Sequence, residues 1–224
     1  RGDKKFYVNF RFQSESGFQA GDLTCKGQAA LGKVFRIGHL YNSASNTDIR
    51  NNFAAVLATQ DSTFVTLTAS DPGVDLQRGG AQTVGSTASI MLYKGESVVF
   101  AQYLTFNAAQ QPPNGLIGAL LTATKPVAVN VGSWLGAPQD RANDAGLDQI
   151  VPFEETGTEY ILCKGNGSAD METPMVVAHR NNTEVRLNSN SNPVSILQAG
   201  QFYRIPTSSF TAAGNLYIET SEPA

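Results

Sequence analysis

The stretch Phe53–Thr68, FAAVLATQDSTFVTLT, decides the fold class. Two runs rich in β-branched residues, Phe53 to Thr59 and Thr63 to Thr68, flank the turn formers Gln60-Asp61-Ser62, a pattern that reads as a β-hairpin. The same pattern returns without a gap as Thr173–Asn188, TPMVVAHRNNTEVRLN, with Arg180-Asn181-Asn182-Thr183 at the turn. A segment that recurs at full length marks a packing unit used twice.

Working outward, further matches fall in the same order. Val8-Asn9-Phe10 corresponds to Val129-Asn130-Val131, and Gly32–Ile37 to Gly157–Leu162. Leu92–Gly95 corresponds to Leu197–Gly200, and Thr122–Ala128 to Glu219–Ala224. The spacing between partners shrinks along the chain, so the second unit is the shorter and loses residues mainly in loops. The expected organisation is a first β unit over 1–131, a linker loop over 132–153 and a second β unit over 154–224. Each unit offers about seven strands, the size of a β-sandwich module, with propeller blades as the alternative arrangement. The strand Phe6–Phe12 either closes the structure beside the last strand or belongs to an array with further units.

The remaining apolar pattern is short and of period two. Phe6, Val8, Phe10 and Phe12 alternate with polar positions, as on a strand with one apolar face. Ile90–Tyr93 turns at Lys94-Gly95 into Ser97–Tyr103, and Leu120–Thr124 leads through Lys125-Pro126 into Val127–Val131. Pro126 belongs at an edge or a turn because it has no N–H to give a ladder. Ala108–Gln111 might begin a helix were it not for Pro112 and Pro113. The chain is read as all-β.

Composition excludes several classes. Charged residues make up 16% of the chain where about 25% is usual. The chain instead carries 17 Ser, 18 Thr and 16 Asn, a balance typical of exported β proteins. A net charge of −3 argues against nucleic acid as a partner, since phosphate binding needs a basic face. No apolar run approaches the 18 or so residues of a membrane span, so direct insertion is not expected. The chain begins at Arg1 without Met or a signal peptide, which implies a removed leader or a piece of something longer.

Candidate chemistry is sparse. No G-x-S-x-G string occurs, and the two histidines, His39 and His179, have no ligand spacing to a cysteine, so an enzyme is not expected. The 132–153 segment is the richest: Trp134, Asp140, Asn143, Asp148 and Gln149 are candidate ligand-binding residues. Asp140, Asp144 and Asp148 recur every four residues and would supply hard oxygen ligands to Ca²⁺, the one cofactor considered. The competing reading is an exposed loop whose acids cap turns and pair with Arg141. Cys25 and Cys163 each precede Lys-Gly and form the single possible intramolecular disulfide, the alternative being two buried thiols. Asn166 and Asn181 fit the N-glycosylation acceptor pattern, and Ser62 in Asp61-Ser62-Thr63 resembles an O-glycosylation acceptor at a turn tip.

Several strings resemble the N-terminal domain family of the IgG Fc-binding protein, as found in large cell-surface proteins of Bacteroidetes-type bacteria. They are Phe6–Asn9, Lys26-Gly27 with Gly32–Ile37, Ala123–Asn130 and Gly146–Pro152, spread over nearly the whole chain. The resemblance implies an extracellular, cell-surface module of a large adhesin, binding an extracellular glycan or protein; it does not imply that this chain binds immunoglobulin. The alternatives are a self-associating structural spacer or filament subunit and, less favoured, a carbohydrate-active enzyme.

Overall fold

Alternation in the sequence becomes alternation of burial. In a computed structural model of the chain, which describes residues 8–13, 20–42, 52–79, 85–102, 114–136, 144–169 and 171–224, strand β4 (Asn52–Ala58) buries Asn52, Ala54, Val56 and Ala58. Strand β5 (Thr63–Thr68) buries Thr63, Val65 and Leu67. The first half of the chain also carries β1 (Val8–Gln13), β2 (Ala20–Cys25), β3 (Gly32–Arg36), β6 (Leu76–Arg78), β7 (Thr87–Leu92), β8 (Ser97–Gln102), β9 (Leu120–Gly136) and β10 (Asp144–Ile150). The second carries β11 (Glu159–Cys163), β12 (Met175–Val177), β13 (Thr183–Leu187), β14 (Ser195–Leu197), β15 (Phe202–Arg204) and β16 (Asn215–Thr220). Among the described residues the only helical turns are 3₁₀, at Gly27–Ala30, Phe153–Glu155 and Thr207–Ser209. None is long and apolar enough to cross a membrane.

The long strand β9 organises the first half. Its leading residues, Leu120–Ala123, pair with β5, and its trailing residues, Val127–Ser133, pair with β4, both antiparallel. On its other edge β9 pairs with β3 near its start and with β10 near its end. β4 and β5 therefore follow one another beside the same strand and do not pair with each other. The hairpin reading of Phe53–Thr68 is corrected on this point. Ser62 takes φ +54 and the Thr63 hydroxyl donates to the Gln60 carbonyl at 2.7 Å, so the chain bends at the turn without reversing. β9 bends in step at Lys125-Pro126, where the Thr59 hydroxyl donates to the Pro126 carbonyl. Strands that change layers at such bends fold one sheet over itself. The eight-stranded sheet thus forms two layers, β6-β8-β4-β9-β10 and β7-β5-β9-β3. Phe35, Leu67, Leu76, Phe100, Leu121 and Val129, all fully buried, fill the space between them.

The second half repeats this ladder. β13 pairs with β14 and β16, and β16 with β11, giving the four-stranded order β11-β16-β13-β14, while β12 and β15 form a two-stranded sheet. Val65 faces Ala123 and Val185 faces Thr220; Phe35 faces Leu121 and Tyr160 faces Ile218. Val65, Ala123 and Phe35 are the sequence matches of Val185, Thr220 and Tyr160, and Leu121 and Ile218 directly precede the matched Thr122 and Glu219. Local detail follows suit: Asn182 takes φ +61 as Ser62 does, and the Thr183 hydroxyl donates to Arg180 at 2.9 Å. Val176, Ala178, Val185, Leu187, Leu197 and Ile218 form a separate core. The pairing is that of sandwich layers and not of propeller blades. The segment 132–153 is no loop throughout, because residues 132–136 complete β9 and 144–150 form β10 against it.

Candidate functional site

A buried polar cluster holds one rim of the first sandwich. Asn52 opens β4, Gln102 closes β8 and Ser133 lies opposite Asn52 on β9. Asn42, Asn52, Gln102 and Ser133 are fully buried, so each needs internal partners. The Asn52 Oδ1 accepts from Asn42 Nδ2 at 2.8 Å and from the Ser133 hydroxyl at 2.7 Å, and Asn52 Nδ2 donates to Gln102 Oε1 at 3.1 Å. Asn42 N–H donates to Asn114 Oδ1 at 2.7 Å, and Asn114 Nδ2 donates back to the Asn42 carbonyl at 2.8 Å. These residues stand at the two ends of segment 43–51 and of segment 103–113. The cluster clasps the points from which both segments depart. His39 is buried beside it, and burial pushes its imidazole down to about 4.

The residues singled out in 132–153 are only partly brought together. Asp140 and Asn143 lie outside the described residues, as do the side chains of Trp134 and Asp144, so of the calcium trio only the Asp148 side chain is described. Asp148 is exposed on β10 and pairs with Lys26 Nζ at 2.9 Å. Gln149 is buried, its side-chain oxygen accepting the Lys26 N–H and its carbonyl accepting Lys26 Nζ. Lys26 is the counter-charge that the structure sets beside Asp148, and Arg141 lies outside the described residues. Among the described residues no cluster of three or more His, Cys, Asp or Glu side chains is placed to hold a metal.

A second site lies where the halves meet. An apolar cleft of about 270 Å³ runs between β12 on one side and β11 and β16 on the other, with Arg36 and His179 in its lining. Arg36 Nη1 donates to the Gly118 carbonyl at 2.9 Å and Nη2 to the His179 carbonyl at 3.4 Å. Partial burial holds the guanidinium below its ordinary value. His179 stacks on Phe153 with ring centroids 3.8 Å apart, which makes it a junction residue. Burial, then the charges of Arg36 and Arg180, lower its imidazole pKa, against a smaller opposing effect of Glu154. The two cysteines do not staple this junction. Both are free thiols, Cys25 at the end of β2 opposite Val8 and Cys163 at the end of β11 opposite Asn215, in different sheets.

A family model described as IgGFc binding protein matches residues 21–224. The chain belongs to the IgGFc-binding family. No curated protein and no solved structure matches it. The family is one of binding modules, not of enzymes. The strings that carried the resemblance to the IgGFc-binding family now have places: Gly32–Ile37 spans β3, Ala123–Asn130 the bend of β9, and Gly146–Pro152 the end of β10 and the residues after it. Gly32 and Pro152 bring the first and last of these strings together. Gly32 belongs there by necessity, since a Cβ on it would sit 2.1 Å from the Pro152 side chain.

The glycosylation candidates of this IgGFc-binding family member are all exposed. Ser62 tops the β4–β5 bend, and Asn166 lies in a loop whose Gly165 and Gly167 amides donate to Glu172 at 3.0 and 2.8 Å. Asn181 accepts the Ala199 N–H at 3.0 Å. The polar clasp and the Arg36 junction escaped the sequence reading. Asn42, Asn52, Gln102 and Ser133 share no motif, and a run of Asn at 51–52 looks like any turn.

Proposed function

We propose that this chain is an extracellular binding module of a larger cell-surface adhesin, recognising a protein or glycan through loops carried on a rigid β scaffold. The observation that carries the reading is the family match over residues 21–224, since the IgGFc-binding family is a family of binding modules. The polar clasp supports it physically. It fixes the departure points of segments 43–51 and 103–113 at one rim, beside the end of β9 that carries Trp134, and rigid strands displaying variable segments are how such scaffolds recognise ligands. Trp134, Asp140 and Asn143 are the contact residues of this reading, and Asp148 and Gln149 hold β10 in place through Lys26.

The test immobilises the chain and titrates immunoglobulin Fc, a mucin-type glycoprotein and a glycan array. Saturable binding to at least one of these, weakened tenfold or more by Trp134→Ala or by Asp140→Ala with Asn143→Ala, is the expected result. Binding that never saturates, or that ignores those substitutions, removes the loop-recognition reading. The edge strand β14, whose Ile196 is 55% exposed, favours the structural-spacer reading as the second.

A further inference from the structure

The repeat and the strand pairing do not share a boundary. β1 and β2 pair with Val8 opposite Cys25, Asn9 opposite Thr24 and Phe10 opposite Leu23. β9 and β10 pair with Val129 opposite Ile150, Asn130 opposite Gln149 and Val131 opposite Asp148. Val8-Asn9-Phe10 is the sequence match of Val129-Asn130-Val131, so the two antiparallel pairs are one element used twice. Each is followed by a 3₁₀ turn, at Gly27–Ala30 or Phe153–Glu155, and then by the matched strand β3 or β11. The trailing part of β9 is therefore the first strand of the second repeat. Yet it is spent in the first sandwich, paired with β4 from Ala58 opposite Val127 to Asn52 opposite Ser133, with Val127, Val129 and Val131 buried in the first core.

Among the described residues the second sandwich receives no such strand. β12, the counterpart of β4, pairs with β15 alone among the described residues. Ala178 exchanges backbone hydrogen bonds with Gln201 and Gly200, on the β15 side. Alternate residues of a strand direct their N–H and C=O to opposite edges, so Met175 and Val177 aim theirs away from β15. Their counterparts Ala55 and Leu57 meet Asn130 and Ala128 of β9. The 270 Å³ apolar cleft opens along this edge, between β12 and the β11–β16 pair, where the valines of β9 lie in the first half.

We propose that the β12 edge away from β15, unpaired among the described residues, is a strand-acceptor site and that β1 of a second copy of this chain is its occupant. The order β2-β1-β12-β15 would then reproduce β10-β9-β4-β8, with Val8 opposite Val176 and Asn9 opposite Met175. β1 is already built for this: it repeats the β9 sequence, it pairs on one edge with β2, and it shows Val8 and Phe10 at 45% and 51% exposure. Within its own chain β1 stays in the first half, because β2 runs beside β10 and Lys26 ties the end of β2 to Asp148 and Gln149. Donor and acceptor are different surfaces, so the contact is heterologous and propagates head to tail. Main-chain hydrogen bonds supply affinity, and the cleft reads the alternate apolar side chains. This site is separate from the loop-borne recognition proposed above and stands or falls without it.

Sedimentation velocity of the full chain over a range of concentrations tests the idea. The wild type should form species beyond the dimer. Val8→Asp with Phe10→Asp disables the donor, and Val177→Pro removes an acceptor N–H on the side away from β15. Each variant alone should remain monomeric, while their mixture should form one-to-one dimers and nothing larger. Should Val177→Pro fail to fold by circular dichroism, a labelled Phe6–Gln13 peptide titrated into the donor-disabled chain replaces it. Saturable binding of that peptide, lost on replacing its Val8 and Phe10 by Asp, supports the acceptor. A wild type that stays monomeric overturns the proposal. So does a donor-disabled chain that still assembles, or a cleft that takes a Pro126–Ser133 peptide and refuses the Phe6–Gln13 peptide.

Discussion

His39 carries the clearest single-residue consequence. It is 7% exposed, and burial lowers its pKa from 6.5 to about 4 even though Nδ1 donates to the Leu40 carbonyl at 2.8 Å. The folded state therefore favours the neutral ring, and below pH 6.5 the unfolded chain binds the proton first. Stability is full above about pH 6.5, falls by up to about 1.4 kcal/mol per pH unit down to about pH 4, and is flat in this respect below that. Urea midpoints between pH 7 and 4 should show a steeper decline for the wild type than for His39→Gln. Equal slopes would mean that the ring is not desolvated. Asn52 is the second such residue. Asn52→Ala takes a partner from Asn42, Gln102 and Ser133 at once, and the expected loss is about 3 kcal/mol. Equilibrium denaturation measures it, and a loss below about 1 kcal/mol would show that water satisfies the rim.

At the scale of elements, the turns of the two halves should answer alike. The Thr63 and Thr183 hydroxyls each donate to a carbonyl three residues back, at 2.7 and 2.9 Å, and both residues are fully buried. Thr63→Val and Thr183→Val should each cost about 1 kcal/mol in denaturation midpoints. Costs differing severalfold would mean that the two bends do different work. Gly118 separates steric from conformational cost. It holds φ +83, and a Cβ there would lie 1.8 Å from the Gly200 carbonyl oxygen. Gly79, at φ +57, has nothing within 4 Å of its Cβ position. Gly79→Ala should therefore cost about 1 kcal/mol of left-handed strain, and Gly118→Ala of order 3 kcal/mol or more as backbone is forced apart. Comparable losses would show that the backbones yield at little cost.

At the scale of the molecule, specific contacts join the halves. Arg36 reaches from β3 to the Gly118 and His179 carbonyls, Tyr41 meets Phe202 edge-on, and the Arg204 guanidinium lies 4.6 Å from the centre of the Tyr41 ring. Arg36→Ala should lower stability by about 2 kcal/mol, the worth of charged hydrogen bonds in a partly buried site. Calorimetry should then show the second half melting ahead of the first, because among the described residues its core is smaller and its β12 edge away from β15 has no partner strand. A single sharp transition at an unchanged temperature would place the coupling elsewhere.

By itself the sequence determined the β class and the repeated strand segments. The physical reason is that both are local: side chains alternate at period two, and each bend needs particular residues. Gly95 and Gly200 take φ +86 and +84 at matched positions, and Ser62 and Asn182 share the left-handed region, so the match between the halves was visible as residues. Tertiary structure alone decided which strands pair. Phe53–Thr68 reads as a hairpin because neighbours in sequence usually pair, but β9 lies across both of its strands and takes the ladder from each. The Asn42–Asn52–Gln102–Ser133 cluster was invisible for the same reason, since its members meet only when β4, β8 and β9 align. Asp144–Ile150 reads as an acidic loop until β9 offers its edge, and Cys25 and Cys163, alike in local sequence, end in different sheets. Periodicity is written residue by residue, whereas partner choice is settled by contacts distant along the chain, and the pairing of β12 with β15 belongs to that second kind of information.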